Sequence, residues 1–161
     1  MAEFFAASLG APTNVLDWSR LLGADAPRSP HGWTVPEAFM AVLFAAASCD
    51  GEMLAVEYEE LTALAHRSRA LKSLSTSELT ELSFRVATRL RDEKNALVQA
   101  CAAIPEEMRL SLFAHALDLI LADGELTSDE ADFLNALILN FKLDHDGISR
   151  VAEVITLKNR Y

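Results

Sequence analysis

Between Gly51 and Gly124 the chain runs for 72 residues without a glycine and with one proline, Pro105. A turn-rich β fold would need such residues at each reversal, so the gap excludes it and favours helices. Aromatics are scarce as well, 7% of 161 residues, although 51% are hydrophobic. Aliphatic side chains and alanine must therefore fill the core, as they do where helix packs on helix. Positive charge is also in deficit: 14 Lys+Arg against 24 Asp+Glu leave a net charge of -10. No basic stripe is available to neutralise phosphates, which argues against nucleic acid as a partner. The imbalance deepens along the chain, from 9 basic against 13 acidic residues in 1–100 to 5 against 11 in 101–161. Two cysteines, Cys49 and Cys101, are too few for a disulfide framework and lack zinc-site spacing. Reduced thiols in helical, apolar surroundings are expected. The longest apolar run, Ala38 to Cys49, falls short of the ~20 residues that span a bilayer. Met1-Ala-Glu3-Phe-Phe lacks the basic start of a signal peptide. A cytoplasmic location without membrane insertion is the expectation.

Residues 1–33 differ from the remainder. They hold Pro12, Pro27 and Pro30 and Gly10, Gly23 and Gly32. This reads as an arm with one short helix at Asn14 to Leu22, docked through Trp18 and Trp33. A helical domain is expected over 34–161. Thr34-x-x-Glu37 is a capping box with Pro36 in its first turn, and the helix behind it runs to about Cys49. Further helices are expected at about Ala55 to Lys72, behind Ser75-x-x-Glu78, at Glu93 to Ala103, and after Pro105. Two more follow, one behind Thr127 and one from Asp146 to Leu157. The fold class is all-α, a bundle of about seven helices.

One pattern occurs twice. Asp50-Gly51-Glu52-x4-Glu57 and Asp123-Gly124-Glu125-x4-Glu130 lie 73 residues apart. Aligned without gaps, Glu37–Leu64 and Leu110–Leu137 share eight of 28 positions, including Leu61/Leu134 and Leu64/Leu137. The unit is helix–turn–helix used twice, as a pseudo-two-fold would produce. Structural roles account for much of it. Glycine after a helix takes the left-handed position, Asp accepts local backbone hydrogen bonds, and Thr127 with Glu130 forms a capping box. Copy one has Leu54 in place of Thr127 yet keeps Glu57, which hints at a second role. A carboxylate near a helix N-terminus is, however, favoured by the dipole alone.

The chemical alternative is a cation site. Asp50, Glu52, Glu57, Asp123, Glu125 and Glu130 supply hard oxygen ligands for a divalent cation, Ca²⁺ or Mg²⁺ foremost, with Mn²⁺ and Zn²⁺ to be tested beside them. Acidity by itself does not require an ion. Carboxylates ~6 Å apart in water repel by only about 0.7 kcal/mol. The turns are not EF-hands, since the D-x-D-x-D-G series is missing, and Asp144-His145-Asp146-Gly147 lacks the loop behind it. No phosphate loop, nucleophile elbow or paired-histidine spacing supports catalysis, so no catalytic residues or other cofactor are expected.

The doubled pattern, Ala47-Ser-Cys-Asp50-Gly51-Glu52 with Glu57 and Ile120-Leu-Ala-Asp123-Gly124-Glu125 with Glu130, resembles the TerB-like family (tellurite-resistance TerB and the DjlA N-terminal domain). Phe133-Leu134, Leu137-Ile138 and a closing helix at Ile148–Ile155 extend the likeness, which covers about residues 34–157. First-copy departures are Ala47 for Ile120, Cys49 for Ala122 and Leu54 for Thr127. The resemblance implies an all-helical, bacterial, cytoplasmic module of two similar halves whose acidic turns are suspected of binding metal. It also implies a tie to tellurite or general stress responses, and an association with protein partners.

Two function classes follow: a non-enzymatic, metal-responsive module, or a protein-interaction domain whose acidic turns are structural. An unidentified protein partner or a second copy of the chain is the expected associate; an unrecognised carboxylate hydrolase is the weakest alternative. Among other residues, His115 is expected at the core edge, His145 at an exposed helix start, and Cys49 as a small core residue. Arg85, Arg89 and Arg91 are expected to give the third helix a solvated basic side.

Overall fold

The computed structural model describes residues 27–51 and 55–160; the side chains of Ala55, Val56, Glu57 and Asp123 fall outside that description. The expected helix at Asn14 to Leu22, the Trp18 anchor, Glu52 and Leu54 also lie outside the described residues. Seven α-helices and no strand occur among those described. They are α1 (Val35–Ala47), α2 (Ala55–Arg67), α3 (Thr76–Asp92), α4 (Ala96–Ala103), α5 (Glu106–Ile120), α6 (Ser128–Phe141) and α7 (His145–Lys158), with a 3-10 turn at Leu121–Asp123. No described helix is long and apolar enough to cross a membrane.

Local chemistry sets the helix starts. Thr34, Ser75 and Thr127 each accept from the backbone N–H three residues on, while Glu37, Glu78 and Glu130 reach back to complete the box. Asp144 caps α7 by accepting from the Gly147 N–H at 2.7 Å, which holds its carboxyl below the usual carboxylate range. Two boundaries differ from the sequence reading. α2 stops at Arg67 rather than Lys72, and its end tightens into turns in which Ser68 accepts from Leu71 and Lys72. α4 starts at Ala96 rather than Glu93, because Asn95 adopts φ 65°, the left-handed conformation that asparagine tolerates.

α1 is the hub. It packs most extensively on α5, α4 and α3, whereas α6 and α7 cover α5. Ala38, Ala41, Val42 and Leu43 are sealed from solvent, and Leu112 and Ala116 of α5 meet the same core. Small residues on α1 let neighbouring helix axes approach closely enough to surround it. The repeat is visible in burial: Leu61 and Leu134 are both buried, as are Leu64 and Leu137, while Ala63 and Ala136 are both exposed.

Trp33 is sealed at 1% exposure, and its backbone closes a turn with Ser29. The basic side of α3 is not merely solvated, as its charge pattern suggested. The Arg89 guanidinium lies over the Trp33 ring, donates to the His31 carbonyl and pairs with Glu93. Arg85 pairs with Glu37 at 3.6 Å, and Arg28 reaches the same carboxylate at 3.3 Å. One face of α3 thereby clamps the segment leading into α1.

Candidate functional site: two acidic turns

Both turns close in the same way at the backbone. Gly51 donates to the Ser48 carbonyl at 3.3 Å, and Gly124 donates to the equivalent Leu121 carbonyl at 3.1 Å. The glycines then diverge. Gly124 sits at φ 84°, ψ 0°, the usual left-handed helix stop, whereas Gly51 is at φ 149°. A side chain would be strained at either position. At its glycine the first turn thus departs from the backbone conformation of the second.

The second turn leads into α6 through a fully formed cap. Glu130 Oε2 accepts from the Thr127 N–H at 2.7 Å and from the Thr127 hydroxyl at 3.0 Å, and the Glu130 N–H donates back to that hydroxyl at 3.3 Å. Glu130 is only 7% exposed, the one charged side chain in the described core. A buried carboxylate requires such partners, and the cap supplies them through one of its two oxygens. Asp50 and Glu125 are exposed.

Cys49 immediately precedes the first turn. Its thiol lies half-buried at the end of α1 and donates to the Ala46 carbonyl. Burial pushes it up to about 11, and the carboxylates of Glu130, Asp50 and Asp129 push the same way. Glu130 and Asp129 lie at the start of α6 in the second unit and Cys49 just after α1 in the first, so these carboxylates act on the thiol across the repeat. Cys101 is raised further, to about 12, by deeper burial. Neither thiol is a ready nucleophile at neutral pH.

Of the six carboxylates singled out by the repeat, Asp50, Glu125 and Glu130 have described side chains. Among the described residues no three His, Cys, Asp or Glu side chains converge as a metal group. The donor set is all oxygen, which suits Ca²⁺, Mg²⁺ or Mn²⁺ better than Zn²⁺. Of the histidines, His115 is partly buried edge-on to Phe39, with ring centroids 6.0 Å apart, while His145 is exposed at the start of α7. Burial holds the His115 imidazole below its ordinary value, and Asp118 offsets part of that effect.

Sequence reasoning missed the polar ties elsewhere. Asp118 on α5 accepts from both Lys158 and Asn159, fastening the end of α7. Arg109 donates to the carbonyls of Ile104 and Phe141. All but the Arg109–Ile104 bond join residues more than thirty positions apart, and no local pattern announces them.

A helical bundle built on two glycine turns with acidic flanks defines a duplicated helix–turn–helix module. The family model described as "Tellurite resistance protein TerB" matches residues 36–154, and the chain belongs to that family. No curated protein and no solved structure matches it.

Proposed function

We propose that the protein is a non-enzymatic module of TerB type that binds a divalent cation at its acidic pole, in the service of a tellurite or general stress response. Asp50, Glu52 and Glu57 from the first turn and Asp123, Glu125 and Glu130 from the second are its ligands. The observation that carries this reading is the acidic turn used twice, closed at the backbone in the same way by Gly51 and Gly124. Glu130 keeps one carboxylate oxygen outside the cap bonds, because both Thr127 contacts fall on Oε2. A hard cation would offset the mutual repulsion of the turns and tie the two units together.

The test is a thermal-shift titration of metal-free protein with Ca²⁺, Mg²⁺, Mn²⁺ and Zn²⁺. Ligand at 100 times its dissociation constant adds about 2.7 kcal/mol, which displaces the melting temperature by several degrees. Asp123→Asn with Glu125→Gln is expected to abolish the shift. If no ion at millimolar concentration moves the transition, the cation reading fails.

In that event the protein-interaction reading takes its place. One observation favours it: the Thr127–Glu130 box accounts for the second turn without any ligand.

A further inference from the structure

A cleft of about 360 Å³ opens between α5 and the turn that follows α2. It lies at the end of α2 opposite the first acidic turn, ~18 Å away along a 13-residue helix. Its floor is apolar, formed by Phe39 and Met108, both nearly sealed. One wall is a polar stripe of α5, Glu107, Ser111 and His115, spaced i, i+4, i+8 so that all three share a face. Arg67 and Arg69 form the facing wall.

The arginines supply the charge, and like Arg109, Arg150 and Arg160 they have no carboxylate partner among the described residues. Arg28, Arg85, Arg89 and Arg91 each pair with a carboxylate. Arg67 and Arg69 form no ion pair among the described residues, although acidic residues outnumber basic ones in the chain by 24 to 14. Among the described residues Arg67 donates through its Nε to the Ala63 carbonyl, which leaves both terminal nitrogens for a ligand. Glu107 carries the one negative charge of the lining, and burial disfavours the charged form of His115. The lining is therefore net positive, in a protein that is otherwise acidic. The first turn of α5, which borders the cleft, carries Glu106 and Glu107, so its dipole is already answered and the arginines alone supply the positive charge.

We propose that this cleft binds a small organic oxyanion, a carboxylate or phosphate ester, with the charged group held by Arg67 and Arg69 and the apolar body over Phe39 and Met108. Paired guanidinium groups match either oxyanion through charge-assisted, bidentate hydrogen bonds. Ser111 stands beside them as a further donor. The cleft shares no residue with the acidic turns, so it stands or falls separately from the cation reading.

The full chain, ¹⁵N-labelled and held at constant ionic strength, would be titrated with phenyl phosphate, benzoate and inorganic phosphate. Saturable amide shifts are expected at residues 67–70 and 107–115, with phenyl phosphate or benzoate at least about threefold tighter than inorganic phosphate. Which of the two aromatic anions binds better identifies the oxyanion. Arg69→Ala, at an exposed side chain, is expected to weaken binding about tenfold, while Arg85→Ala leaves it unchanged. Should Arg67→Ala lose its fold, Arg69→Gln carries the same test. Shifts that fail to saturate, or an Arg69→Ala affinity equal to that of the parent, would overturn the site. Equal affinity for phenyl phosphate, benzoate and inorganic phosphate would overturn the apolar subsite.

Discussion

The Arg89 guanidinium carbon sits 3.9 Å from the centre of the Trp33 ring. It joins the last turn of α3 to the residue just ahead of the α1 cap, across more than fifty positions of sequence. The stacked cation covers an indole that is otherwise buried, and its Nη2 also holds the His31 carbonyl.

Arg89→Ala should therefore destabilise the protein by about 1–3 kcal/mol, combining a cation–π contact with charge-assisted hydrogen bonds. Arg89→Lys should recover only part of this, because an ammonium cannot stack and bond in two directions at once. Urea unfolding followed by far-UV circular dichroism measures both. Equal stability of the alanine variant and the parent would show that the clamp contributes nothing.

Thr127→Ala should cost about 1 kcal/mol through the lost α6 cap. Glu130→Gln should cost a similar amount. Because the two side chains bond each other, the double variant should lose less than the sum. Full additivity in a double-mutant cycle would mean that the box is energetically idle.

Cys49 should resist alkylation. A thiol raised to about 11 holds on the order of 0.1% thiolate at pH 8, against roughly a quarter for an unperturbed one. Glu130→Gln or Asp129→Asn should accelerate its reaction with iodoacetamide, since each removes a charge that disfavours the thiolate. A saturating divalent cation at the turns should act in the same direction. Peptide mapping separates Cys49 from the more deeply buried Cys101; an unchanged Cys49 rate in both variants would remove the electrostatic link between the two units.

His115 should impose an acid-side stability slope. Its folded-state value is lowered, so the unfolded chain binds the proton more readily and stability falls as pH drops below about 6.5. Its contribution is complete above that value. His115→Gln should flatten the slope between pH 7 and 5, where urea midpoints give the comparison. Parallel pH profiles for parent and variant would place the slope elsewhere.

Much of this architecture was legible from one chain of residues. Thr34, Ser75 and Thr127 marked three helix starts because a capping box is a contact within four residues. Leu79, Leu82 and Val86 in α3 and Met108 and Leu112 in α5 recur at helical spacing and are buried, because helical periodicity records burial directly. The C-terminal end of α2 and the start of α4 were less legible. There, left-handed Asn95 and the tight turns at Ser68 broke runs whose composition still favoured helix.

The residues alone determined the helices, the duplicated turns and the acidity of the chain, since each depends on neighbours in sequence or on composition. Only the tertiary structure decided where those charges act. It set carboxylates of the second unit against Cys49 of the first, turned the basic side of α3 into a clamp on Trp33, and left Arg67 and Arg69 facing a cleft. Electrostatic and stacking energies depend on distance through space, and folding, not sequence separation, sets that distance.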